Sequence, residues 1–212
     1  GRHQGGAHSR AAVTARSTMN AAALLFLLPR LVFGKGGHHG GGGGDCEGDC
    51  ACFCSGTTAC KAIKPISAFE AYEQCFGPKG GSAAERIKMS ALRTGDIVLS
   101  EKGGTLALTS VFMNLHTADS TVGQELLELH FTSSKGVQEG SSSLALTSDH
   151  MLLLDGDMQP ASKAQIGMRL TAADGEQLTI QHVASRFGAV ISPITGNGRI
   201  IAAAGHLPVV AA

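Results

Sequence analysis

Short apolar runs separated by glycine and polar clusters dominate the chain after about residue 75. Asp96-Ile97-Val98-Leu99, Leu126 to Phe131, Leu144-Ala145-Leu146 and Met151 to Leu154 are four such runs. Several alternate apolar and polar positions, and Asp155-Gly156 and Asp174-Gly175 supply turn signals between them. Alternation with period two predicts half-buried strands, so residues 75–212 read as all-β. Upstream, Ile66, Phe69 and Tyr72 fall at helical spacing and predict one helix over Pro65 to Gln74.

The β region also looks duplicated. Ser90 to Val98 pairs with Ser162 to Leu170 at an offset of 72, which matches Gly95 with Gly167. Held without a gap, the offset also matches Gly103 with Gly175, Leu106 with Leu178, Leu108 with Ile180 and Val111 with Val183. The pattern predicts two related β halves about a pseudo-twofold axis.

Four pieces follow from these shifts: a leader (1–34), a glycine-rich linker (35–45) with His38 and His39, a small cysteine-rich segment (46–74) and the β domain (75–212). Ala21 to Leu28 has the length of a signal-peptide core and is shorter than the roughly 20 apolar residues of a membrane span. The secretory pathway or the extracellular space is therefore expected, with an uncleaved leader as a membrane anchor in one version. Acidic and basic residues balance at 17 each, which points away from nucleic acid.

All six cysteines lie at or before Cys75. Cys46, Cys50, Cys52, Cys54 and Cys60 read as disulfide partners. They lack the paired Cys-x-x-Cys spacing of common zinc sites, although a metal held with His38 or His39 is the other way to use them. Cys75 stands at the border of the β domain. There it is either a sixth disulfide partner or a nucleophile able to attack the carbonyl of Gln74. In Thr147-Ser148-Asp149-His150, the histidine can protonate a leaving amide nitrogen and the threonine can hold the amide; alone, His150 reads as a surface histidine. Asn114 and His116 are loop candidates to orient a nucleophile, and His182 is structural or exposed.

Taken together, Cys75-Phe76, Met89 to Leu99, Leu146 to His150 and Ile191 to Ile200 resemble the autoprocessing domain of Hedgehog proteins, the Hint fold shared with inteins. The resemblance implies an all-β fold with internal duplication. It implies Cys75 as the nucleophile of an N-to-S acyl shift, with Thr147 and His150 destabilising and protonating the scissile amide. The family has glycine before the cysteine, where this chain has Gln74. The family aspartate of the second step falls at Asn114, with His116 as a substitute.

The expected function is autocatalytic cleavage of a secreted precursor at Gln74–Cys75, with water, a sterol or another nucleophile releasing the thioester. The substrate would be the chain's own N-terminal segment. No cofactor, resident metal, nucleic acid or stable oligomer enters this reading. The alternative is an inactive Hint fold serving as a secreted binding or structural module.

Overall fold

The computed structural model describes residues 51–115, 123–133 and 142–212. The leader, the linker with His38 and His39, Cys46, Cys50 and His116 lie outside the described residues. In chain order the elements are β1 (Phe53–Cys54), β2 (Thr58–Ala62), α1 (Ala68–Cys75), β3 (Ala84–Lys88), β4 (Ile97–Lys102), β5 (Thr105–Leu115), β6 (Gln124–Ser133) and β7 (Ser142–Leu146). There follow β8 (Met151–Leu154), β9 (Asp157–Pro160), β10 (Arg169–Thr171), β11 (Gln177–Gly188), β12 (Val190–Thr195), β13 (Ile200–Ala203) and β14 (Pro208–Ala211). The all-β expectation holds, and the strand at Met151–Leu154 has the bounds that the pattern predicts.

The strands pair in the order β10-β11-β6-β7-β1-β12-β5-β4-β2-β13-β14-β8-β9. A pairing of β10 with β8 closes most of this path into a ring, and β3 flanks β2 as β9 flanks β8. Inside it, Phe53, Met89, Leu129, Phe131, Leu152 and Leu178 form part of one buried apolar core.

The duplication is visible in equivalent hydrogen bonds. Gly95 N–H donates to Val111 O and Gly167 N–H to Ile180 O, both at 2.8 Å. Both glycines take φ near +90°, which a side chain rarely adopts. Leu92 N–H donates to Met89 O as Ala164 N–H does to Ala161 O. Beyond β4 the gapless offset is corrected. Ile97 pairs with Ser110, whereas Arg169 pairs with Thr179, so the second hairpin is three residues shorter. Val111 therefore corresponds to Ile180, not Val183. Met89 N–H donates to Thr57 O, and Ala161 N–H donates to His150 O. Thr57 thus stands in one half where His150 stands in the other.

The domain boundary expected at Cys75 is also corrected. β1 pairs with β12 and β7, and β2 pairs with β3, β4 and β13. Residues 53–62 are therefore woven into the sheet, and α1 follows them. Strands this short carry little pattern, and only their pairing partners reveal them.

The helix starts later than expected because Ser67 caps it. Ser67 Oγ accepts from Glu70 N–H, and the Glu70 carboxylate accepts from Ser67 N–H. Ala71 is buried on its inner face, flanked by Tyr72 and Cys75, while Phe69 remains 61% exposed. Of the expected face, Ile66 and Tyr72 pack and Phe69 does not.

Candidate functional site

β1 places Phe53 and its two cysteine neighbours on opposite sides of a strand, as the period of two requires. Phe53 faces the large core, whereas Cys52 and Cys54 pack with Leu126, Ala145 and Val190. The peptide just before β1 is held from several directions. Cys52 N–H donates to Thr147 Oγ1 at 2.9 Å, and Thr147 N–H donates to Cys52 O at 2.8 Å. Ser192 Oγ, on β12, donates to Ala51 O at 2.9 Å. Both ends of the Ala51–Cys52 amide are therefore engaged by side-chain hydroxyls.

His150 follows the tight turn after β7, where its own N–H donates to Thr147 O at 3.2 Å. Its ring is 3% exposed and lies 3.9 Å from the Phe53 ring. Neither ring nitrogen completes a hydrogen bond. Burial pushes the imidazole down to a pKa of about 4, partly offset by the Ala51 carbonyl, so it is neutral at pH 7. A cavity of about 320 Å³ adjoins the site, lined by Ala51, His150 and Ser192 on one side and Leu115, Pro193 and Ile200 among its apolar walls.

Cys75 is not part of this constellation. It is the last residue of α1 and forms a disulfide with Cys60 of β2, with Cα atoms 5.8 Å apart. The expected nucleophile is corrected on this point: the Gln74–Cys75 peptide lies in a helix, and Thr147 and His150 meet Ala51 and Cys52 instead. Gln74 has another task, since its Oε1 accepts from Ala83 N–H and Ala84 N–H at 3.0 Å at the start of β3.

Asn114 is likewise corrected. Its Nδ2 donates to Met89 O at 2.8 Å and Leu92 O at 3.1 Å, so it ties a short 3-10 turn to β5. His182 pairs across strands with His130, their ring centroids 5.5 Å apart, on the β6–β11 ribbon.

The structure thus brings Thr147 and His150 together with Ala51, Cys52 and Ser192, which the sequence reading missed. One signal existed: Cys52-Phe53 is a second Cys-Phe pair, and no helix contains it. Cys52 is itself disulfide-bonded in this structure. Cys54 is the free cysteine among the described residues.

No family model matches the chain, and no curated protein sequence matches it. Solved structures do. A bacterial intein-like domain from Clostridium thermocellum is similar over 76% of this chain and 99% of its own, with a TM-score of 0.50 and 16% identity. A variant of the Ssp DnaB mini-intein is similar over 77% of this chain and 97% of its own, with a TM-score of 0.53 and 7% identity. These likenesses, with the duplicated strand plan, define the chain as having the Hint fold.

Proposed function

We propose that this domain is autocatalytic and cleaves its own chain between Ala51 and Cys52, with the Cys52 thiol as nucleophile once its disulfide is opened. The observation that carries the reading is the clamp on that one peptide: a hydroxyl donor on its carbonyl, a hydroxyl acceptor on its N–H, and a buried neutral imidazole alongside.

In the first step His150 takes the thiol proton and Cys52 Sγ attacks the Ala51 carbonyl carbon. The developing oxyanion is stabilised by Ser192 Oγ–H, a role in which one donor is typically worth about 10²–10³-fold in rate. Thr147 Oγ1 fixes the Cys52 nitrogen. As the C–N bond breaks, His150 returns the proton to that nitrogen, which leaves an Ala51 thioester and a free Cys52 amine. Water then attacks the thioester, releasing the Ala51 carboxylate and restoring the thiol. A sterol hydroxyl in place of water would leave Ala51 as an ester.

The Cys60–Cys75 bridge supports maturation in an oxidising compartment, in keeping with the proposed export. The substrate is the chain's own upstream segment.

The test is intact-mass analysis of the full chain after incubation with dithiothreitol, with and without hydroxylamine. A fragment beginning at Cys52, absent in Cys52→Ala, is the expected product. The mass of the upstream fragment distinguishes acid, ester and hydroxamate. A fragment beginning at Cys75, or a reduced, folded chain that stays intact, overturns the reading. The second outcome would favour a Hint-fold binding module, the reading that the disulfides at Cys75 and Cys52 favour.

A further inference from the structure

β6 and β11 pair from Gln124 with Gly188 at one end to Ser133 with Leu178 at the other, with one break in register. Ile180 lies opposite Phe131 and His182 lies opposite His130, so Gln181 is the extra residue of a β-bulge. In an unbroken ladder Gln181 would oppose His130, and His182 would oppose Leu129, which is buried in the core. The bulge therefore turns His182 onto the outer face that carries His130. The two rings lie with centroids 5.5 Å apart, and solvent reaches both. Glu128, two residues before His130 and on the same face, brings Oε2 to 3.9 Å from His130 Nε2. Its Oε1 accepts from Ser143 Oγ at 2.9 Å and pairs with Arg186 Nη1 at 3.4 Å.

We propose that His130 and His182 chelate a divalent transition metal ion of the zinc and nickel type, with water in its remaining positions. Each neutral imidazole gives one nitrogen lone pair to the ion and keeps its proton on the other nitrogen. With metal–nitrogen bonds of about 2.1 Å and ring centres about 1.1 Å further out, two imidazoles on one ion have centroids roughly 4.5–5.2 Å apart, from octahedral to tetrahedral angles. The observed 5.5 Å closes to that spacing by small side-chain rotations, with no movement of the strands. The Glu128 carboxylate adds negative charge beside His130, while its pairing with Ser143 and Arg186 leaves imidazole nitrogen as the main donor type. That donor type suits zinc, nickel and copper, whereas calcium and magnesium call for oxygen. A bound ion would join β6 to β11 at the bulge, where the backbone ladder is interrupted. Neither histidine belongs to the clamp on the Ala51–Cys52 peptide, so metal binding here stands or falls apart from the cleavage reading.

The experiment uses the full chain, freed of metal with EDTA and titrated with nickel chloride or zinc chloride. Diethyl pyrocarbonate acylates accessible imidazoles, and peptide mass mapping reads the rate at each one. The chain has nine histidines and six cysteines, so a residue-by-residue reading is needed rather than total metal bound. In wild type, modification of His130 and His182 should slow together along one titration curve, by about tenfold at ten times the dissociation constant. Calcium and magnesium chloride should protect neither residue. In His182→Asn the protection of His130 should be lost at the same metal concentrations, and in His130→Asn that of His182. Unchanged rates at both histidines, or protection with two separate midpoints, overturn the proposal in the wild-type protein alone. So does protection of His130 that survives in folded His182→Asn, since one imidazole would then suffice.

Discussion

The burial of His150 makes stability depend on pH in a calculable way. Its imidazole drops from the ordinary 6.5 to about 4 in the fold, because desolvation penalises the charged form. The unfolded chain therefore binds a proton that the folded chain refuses between these two values. The contribution is fully present above pH 6.5 and is lost as pH falls toward 4. Its full size is about 3 kcal/mol, of which about 2 kcal/mol disappears between pH 7.5 and 5. The measurement is urea unfolding at both pH values for wild type and His150→Ala. The variant loses packing against Phe53, a cost that pH does not change, and it lacks the titration. Other groups, including the carboxylate of Asp96, titrate in both proteins and cancel in the comparison. Wild type should lose about 2 kcal/mol more than the variant between the two pH values. Equal losses would show that the imidazole is either solvated or charged in the fold, and would remove the neutral base from the proposed mechanism.

Ser192→Ala should slow thioester formation by about 10²–10³-fold, read as the rate of hydroxylamine-trapped product, without preventing folding. Replacing Cys60 and Cys75 together with alanine should lower stability by about 3 kcal/mol, from the 15-residue separation of the bridged pair, and should still permit cleavage at Ala51–Cys52 by reduced protein. Denaturant melts and intact mass read the two effects. Asn114→Ala removes one donor from each of the Met89 and Leu92 carbonyls, the first keeping Leu92 N–H, and should cost about 1–3 kcal/mol, while the cleavage rate of the folded fraction stays unchanged.

The strand plan was legible because local pattern encodes it. Leu126 to Phe131, Leu144 to Leu146 and Met151 to Leu154 alternate or run apolar between turn residues, and each lies within a strand. Gly95 and Gly167 mark turns that require positive φ, so the duplication was readable from them. The three-residue difference between the hairpins was not, because glycines and alternating apolar positions match at more than one register. The site was legible by halves. Thr147 and His150 share a turn, but Cys52 meets Thr147 across 95 residues and Ala51 meets Ser192 across 141. Cys75-Phe76 and Cys52-Phe53 are the same dipeptide in sequence, and the structure distinguishes them: Cys75 ends a helix, whereas Cys52 precedes a strand. Ser67 and Glu70 start a helix that runs through Cys75, a consequence that the predicted Pro65–Gln74 span stopped one residue short of.

β1 is two residues long and lies between β7 and β12, which fixes how mechanical load enters the domain. With Cys52 reduced, a pull applied at Ala51 is borne first by the Ala51–Cys52 peptide. The carbonyl side is moored to Ser192 on β12 and the amide side to Thr147 beyond β7. A pull therefore shears two anchorages on opposite flanks, and the peptide between them lies on the load path before the remainder of the sheet does.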